Sequence, residues 1–188
     1  PLRVKTFTSR EYTPADDARL VFGGEWKDPK LWDLDAPQNL YAVKTRLEQD
    51  GKTIDELYPE EFGFREIRIE GRNLMLNGSV VHFRPRNTRY PVEGAVSGED
   101  IRKAALKMKE FGFNSLVSEA NYGFSEGDLS MIELTLKETS QVGMAMVLGL
   151  PHPNRFDDPM NPHHWQYGPA YDRLVKHIVK RFQNVPGL

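Results

Sequence analysis

The sequence predicts two regions of different rhythm: an antiparallel β-sandwich over residues 1–70, then an α/β region over 71–188. Three observations carry this. Before residue 80, apolar and polar residues alternate over short runs, the two-residue period of half-buried strands. After it, short apolar runs alternate with stretches whose apolar residues recur at helical spacing, the pattern of parallel strands joined by crossover helices. Between the two lies Phe62 to Tyr90, around which the chain is organised. Its Asn77-Gly78 pair is a strong hairpin signal, because a type I′ turn needs positive φ at both central residues.

Taken in order, Leu2 to Thr8 alternate and predict a strand with Leu2, Val4 and Thr6 on one face. Ser9 to Asp17 is polar loop, and Arg19 to Phe22 a short strand before Gly23-Gly24. Trp26 and Trp32 flank a Pro-containing turn and are expected to pack in a core or between regions, since large aromatics dominate apolar burial. Tyr41 to Leu47 alternate, Gln49-Asp50-Gly51-Lys52 supplies a turn, and Thr53 to Leu57 begins the return strand. From Phe62 to Ile69 a further extended segment puts Arg65, Ile67 and Ile69 on one side and Glu66, Arg68 and Glu70 on the other. Leu74 and Leu76 lead into the Asn77-Gly78 turn; Val80, Val81 and Phe83 lead out.

Val80 to Arg84 is expected to be the first strand of the α/β region. Ser97-Gly-Glu-Asp100 has the form of a helix cap, and Ile101, Ala104, Ala105, Met108 and Phe111 follow at helical spacing, with Gly112 as left-handed stop. Asn114 to Val117 is the second strand. A second helix runs from about Asp128 to Gln141 with Leu129, Ile132 and Leu136 inward and Gly143 as stop. Met144 to Leu150 is nearly continuous apolar sequence, as expected of a parallel strand buried on both faces. A long loop rich in Pro, Asn, Asp and His fills 151–168. Gly168-Pro169 then opens a third helix with Tyr171, Leu174, Val175, Ile178, Val179 and Phe182 as its apolar stripe. Asn184 to Leu188 is expected to lead into a fourth strand.

The bulk numbers narrow the classes. A chain of 188 residues has room for one domain or two small ones, and 39% hydrophobic content supports a core. The formal charge of −2 gives no reason to expect nucleic acid or a membrane as partner, and no apolar run approaches the roughly 20 residues that span a bilayer. Zero cysteines exclude disulfides and thiolate metal sites and leave the compartment open. Pro1-Leu-Arg-Val-Lys-Thr has no signal-peptide core, and the chain reads as starting and stopping inside a larger protein.

Four stretches resemble glycoside hydrolase family two. They are Leu31-Trp32-Asp33-Leu34-Asp35-Ala36-Pro37-Gln38-Asn39-Leu40-Tyr41, Phe62-Gly63-Phe64-Arg65-Glu66-Ile67-Arg68-Ile69, Leu76-Asn77-Gly78 and Phe83-Arg84-Pro85-Arg86-Asn87-Thr88-Arg89. The resemblance implies the end of an immunoglobulin-like domain followed by the start of a (β/α)₈ TIM barrel, with residue 70 as the boundary. An immunoglobulin-like domain has about seven strands in about 100 residues, and only four or five are counted in the first 70, so that domain reads as partial. The implied activity is retaining hydrolysis of β-linked glycosides; the compartment stays open, with bacterial periplasmic or secreted as the alternative. In that family the acid/base glutamate lies on the fourth barrel strand and the nucleophile on the seventh, so this chain is expected to lack both and to be inactive alone.

Active sites of such barrels lie at the C-terminal ends of the strands. Arg84, Asn87, Arg89 and Tyr90 are expected to follow the first strand, Glu119, Asn121 and Tyr122 the second, and His152, Asn154 and Arg155 the third. By resemblance Arg84 supports the nucleophile. Asn87, Arg89, Tyr90, Glu119, Asn121, Tyr122, His152 and Trp165 are the expected sugar contacts, since planar polar side chains and aromatic faces suit sugars. Phe156, Trp165 and Tyr167 would form a stacking platform. Departures are visible: Pro85 replaces a usual Gly, Arg89 a usual His, and Ser118-Glu119-Ala120-Asn121-Tyr122 an Arg-Thr-Ser-His-Tyr-like run. They leave a rival class open, a non-catalytic carbohydrate-binding or scaffold module. Glu119 has the alternative of a salt bridge to a nearby arginine. His152, His163 and His164 match no established zinc spacing, so neither metal nor cofactor is expected. A barrel cut after three strands exposes an unpaired edge, which predicts self-association or a covered, rearranged sheet.

Overall fold

The computed structural model describes residues 24–88, 95–118, 125–150 and 169–188, with side chains from 172 onward in the last stretch. The strands expected at 2–8 and 19–22 and the loop at 151–168 lie outside the described residues.

The first half of the described chain is antiparallel. Strand β1 (Tyr41–Val43) pairs with β4 (Glu60–Phe62), and β2 (Arg46–Gln49) with β3 (Lys52–Glu56). The β2–β3 turn forms because Asp50 and Gly51 both take positive φ, 51° and 74°. The strand expected over Tyr41–Leu47 is thus two, each paired with a different partner. Likewise the extended run from Phe62 divides, and β5 (Ile67–Glu70), β6 (Asn73–Leu76) and β7 (Ser79–Val80) make a meander of their own. Asn77 and Gly78 form its second turn with φ of 51° and 82°, as their sequence requires.

The second half is a parallel sheet. Strands β8 (Pro85–Thr88), β9 (Ser115–Ser118) and β10 (Ala145–Leu148) pair in the order β10-β9-β8. Their register is level: Pro85, Ser115 and Ala145 share one rung, and Thr88, Ser118 and Leu148 the last. Helix α1 (Gly98–Glu110) connects β8 to β9, α2 (Glu126–Gln141) connects β9 to β10, and α3 (Pro169–Phe182) follows. The caps are local chemistry. Ser97 accepts from the Asp100 N–H, and Ser125 with Asp128 forms a full capping box. Gly112 and Gly143 close α1 and α2 with φ of 86° and 71°.

The core lies between this sheet and its helices. Ile101 and Ala105 of α1, Leu129, Ile132 and Leu136 of α2, and Ile178 and Phe182 of α3 bury against Leu116 and Met146. The other face of the sheet is open at its middle, where Val147 is 54% exposed. Burial on both faces, expected from the apolar run at 144–150, is therefore not found; alternation in β10 sends Met146 to the helices and Val147 away. Phe111, expected inward, is 73% exposed. It is the C-cap of α1, past the last full turn, and Phe113 packs on the core in its place.

The first parallel strand is also displaced from its expected position. Val80 pairs with Met75, and the Val81 N–H bonds the Leu74 carbonyl at 2.9 Å, so the apolar run belongs to the hairpin. The parallel strand begins instead at Pro85. Proline fits there because it is the first residue of an edge strand and owes the ladder no N–H at that point.

Candidate active-site face

Level register puts the C-terminal ends of β8, β9 and β10 at one height. Arg89 and Tyr90 follow β8 in sequence, and Glu119, Asn121 and Tyr122 follow β9. These five, with His152 and Trp165, lie outside the described residues. Asn87 is one rung below the tips, level with Val117 and Val147. Since Leu116 and Met146 point at the helices, alternation turns Asn87 to the opposite, open face, and it is exposed.

Arg84 is elsewhere. It precedes β8 and sits at the N-terminal end of the sheet, where its Nε–H bonds the Gly112 carbonyl at 2.6 Å. Its own N–H goes to Asn114 Oδ1 at 2.6 Å, and its carbonyl accepts from Asn114 N–H at 3.2 Å. The expectation that Arg84 stands at the active-site end is corrected. The cause is the displaced strand: a strand beginning at Pro85 leaves Arg84 at its start. Sequence reasoning also missed Asn114, whose amide Nδ2 reaches the His82 carbonyl at 3.0 Å and so ties the chain entering β8 to β9. Its signal was its place between a helix-stopping glycine and a strand.

Beneath the sheet, Trp32 gathers three of the motifs. Its backbone N–H bonds the Phe64 carbonyl at 2.8 Å, its carbonyl accepts from Asn77 Nδ2 at 2.8 Å, and its indole N–H reaches the Ser140 carbonyl at 3.0 Å. Trp32 is 1% exposed and clusters with Leu34 and Leu76. Its role as packing between regions is as the sequence suggested. Trp26 joins a ring cluster with Tyr41 and Phe64, centroids 5.2 and 6.0 Å away. Lys109 binds the Val142 carbonyl at 2.7 Å and that of Leu34 at 3.3 Å, pinning the same segment from α1.

Residues 4–65 match the model of glycosyl hydrolases family 2. Trp32 and Phe64 lie within that span. The fold is similar to those of several solved structures. A GH2 β-galacturonidase from Eisenbergiella tayi superposes with a TM-score of 0.67 at 20% identity, over 87% of this chain and 28% of that one. For a β-glycosidase from Bacteroides vulgatus the values are 0.65, 22%, 88% and 21%. For a β-D-glucuronidase from Dictyoglomus thermophilum they are 0.61, 20%, 86% and 28%. The chain thus spans about a quarter of the length of the structures it matches, and the likeness is one of fold.

The Met146 N–H on the free edge of β10 bonds the Gly187 carbonyl at 2.6 Å, and the Gly187 N–H bonds Ser140 Oγ at 3.1 Å. The Arg65 guanidinium donates to the Leu188 carbonyl. Burial pushes the Arg65 pKa below its ordinary value. Beside Arg65 a cavity of about 300 Å³ opens between Phe62, Phe64, Gln183 and Asn184. Among the described residues no group of three or more His, Asp or Glu is placed to hold a metal ion. No helix among them is long and apolar enough to cross a membrane.

Proposed function

We propose that this chain is a segment of a family-two-like retaining glycoside hydrolase: the end of an immunoglobulin-like domain and the first three β/α units of a TIM barrel. The observation that carries it is the level parallel register of β8, β9 and β10, downstream of a family-two match over residues 4–65. Such a sheet brings the residues after each strand to one rim, where barrel enzymes assemble their sites. Asn87, Arg89, Tyr90, Glu119, Asn121, Tyr122, His152 and Trp165 would supply part of the sugar-binding wall. The two carboxyl groups that retaining chemistry needs, about 5–5.5 Å apart, come from later strands of the parent. One protonates the leaving oxygen while the other attacks the anomeric carbon, and water then releases the sugar.

The test is the full-length protein against a panel of aryl β-glycosides that includes β-uronides. Turnover with retained anomeric configuration, seen by NMR of the first-formed sugar, supports the proposal. Sugar binding without turnover by the full-length protein favours the non-catalytic module instead.

A further inference from the structure

We propose that the cavity beside Arg65 binds a small organic carboxylate with an apolar body, an arylcarboxylate of about the size of benzoate; the proposal does not depend on the glycosidase reading above. At about 300 Å³ the cavity stands at the low end of the roughly 300–1,000 Å³ range of small-molecule sites. Two distant stretches line it: Phe62 to Arg65, leaving β4, and Gln183, Asn184 and Pro186 in the turn after α3. The rings of Phe62 and Phe64, centroids 5.3 Å apart and 77° to one another, make an apolar wall with Pro186. Arg65 and the carboxamides of Gln183 and Asn184 are the polar groups, and both carboxamide residues are exposed, so the mouth opens to water. The walls are set without a ligand. A Cβ on Gly63 would stand 2.8 Å from Trp32 Cβ and 2.9 Å from Pro186 Cβ, so the two stretches already touch there. The Trp32 N–H holds the Phe64 carbonyl at 2.8 Å, and the Val185 N–H holds the Phe182 carbonyl at 2.9 Å. A preformed site loses little to ordering when it binds.

The charge in this cavity is uncompensated. Arg65 is half-buried, and burial alone lowers its pKa; no neighbouring carboxylate acts against it. Other arginines of the protein have anions: Arg68 pairs with Glu66 and Glu70, Arg102 with Glu138, and Arg181 with Glu126 and Glu133. A guanidinium carries five N–H donors. One of Arg65's goes to a main-chain carbonyl, and among the described residues it makes no other hydrogen bond. A partly desolvated cation without an anion is unfavourable, and a carboxylate would offset that cost through two parallel N–H···O bonds. The apolar wall chooses among anions. A flat ring packs edge-to-face on Phe62 and Phe64 behind its carboxylate. A compact inorganic anion would leave that wall uncovered.

The experiment is isothermal titration calorimetry of the full-length protein with benzoate and with benzamide, its uncharged counterpart. The expected result is a benzoate Kd below about 1 mM, within what about nine heavy atoms can supply, and benzamide at least about 10-fold weaker. Arg65→Met should weaken benzoate at least about 10-fold, the scale of hydrogen bonds to charged groups. Asn184→Asp, an exposed change at the mouth, should weaken it about 2- to 5-fold through like charge. No benzoate binding up to about 10 mM overturns the proposal. So does benzamide binding equally well, since the cation would then be idle. Benzoate affinity that Arg65→Met leaves unchanged overturns it too, because the ligand then sits elsewhere. Should Arg65→Met fail to fold, Asn184→Asp decides alone: weakened benzoate binding supports the site, and unchanged binding overturns it.

Discussion

The indole of Trp32 donates to the main-chain carbonyl of Ser140 at 3.0 Å, across 108 residues of sequence and out of contact with solvent. Ser140 lies in the last turn of α2, and its carbonyl also accepts from the Gly143 N–H at 3.2 Å. Trp32→Phe removes the indole donor and leaves that carbonyl with its turn bond. It should cost about 1 kcal/mol, and Trp32→Ala about 3–5 kcal/mol. Urea unfolding of the two variants checks both values.

Two glycines with the same backbone sign should behave differently. Gly51 has φ of 74° and open space where a Cβ would go; Gly143 has φ of 71° and the Leu34 carbonyl 2.1 Å from that point. Gly51→Ala should cost about 1–2 kcal/mol, the strain of the left-handed conformation alone. Gly143→Ala should cost clearly more, because the loop bearing Leu34 must move. Denaturation midpoints measured side by side decide it.

Acid should weaken the start of α1. The Ser97 hydroxyl, with the Val96 N–H, holds the Asp100 carboxyl below the usual carboxylate range. A depressed folded pKa gives stability that is present above the unfolded value of about 3.9 and lost as pH falls through the folded one. The midpoints of wild type and Asp100→Asn, separate at pH 6, should converge below about pH 4. A constant separation down to pH 2 would contradict this.

Arg84 should matter for stability and not for sugar affinity. Arg84→Met removes the bond to the Gly112 carbonyl at the closed end of the sheet. The expected loss is about 1 kcal/mol by chemical denaturation, with KM of the full-length enzyme unchanged. A rise in KM at unchanged stability would return Arg84 to the site.

The 188-residue chain by itself should self-associate and turn over no aryl β-glycoside. Val147 is 54% exposed on the face of the sheet turned away from the helices. Light scattering over a concentration series should show a rising mean mass, reduced by Val147→Lys. A monodisperse monomer would be the contrary result.

What the sequence disclosed was what is decided locally. Ser97 caps a helix, and Asp50-Gly51 and Asn77-Gly78 turn hairpins, because each is settled within four or five residues. The first parallel strand was not legible. Pro85-Arg86-Asn87-Thr88 has little strand character, and it is a strand because Ser115–Ser118 supplies its ladder. Val80–Phe83 has that character and spends it on the hairpin. Arg84 was misplaced with the strand, since a shift of one strand length carries a residue from one end of a sheet to the other. The rim residues were chosen by their place after the strands, and of those chosen, only Asn87 is among the described residues at that end.

Trp32 precedes every described strand, yet it lies under the sheet formed last. Sequence order and spatial ownership therefore diverge. A recombinant protein begun at residue 71 would be cast without its floor, and a chimaera that exchanges the residues before it would import a foreign one. Either should be built with Leu31–Leu40 carried along, whatever boundary the strand count suggests.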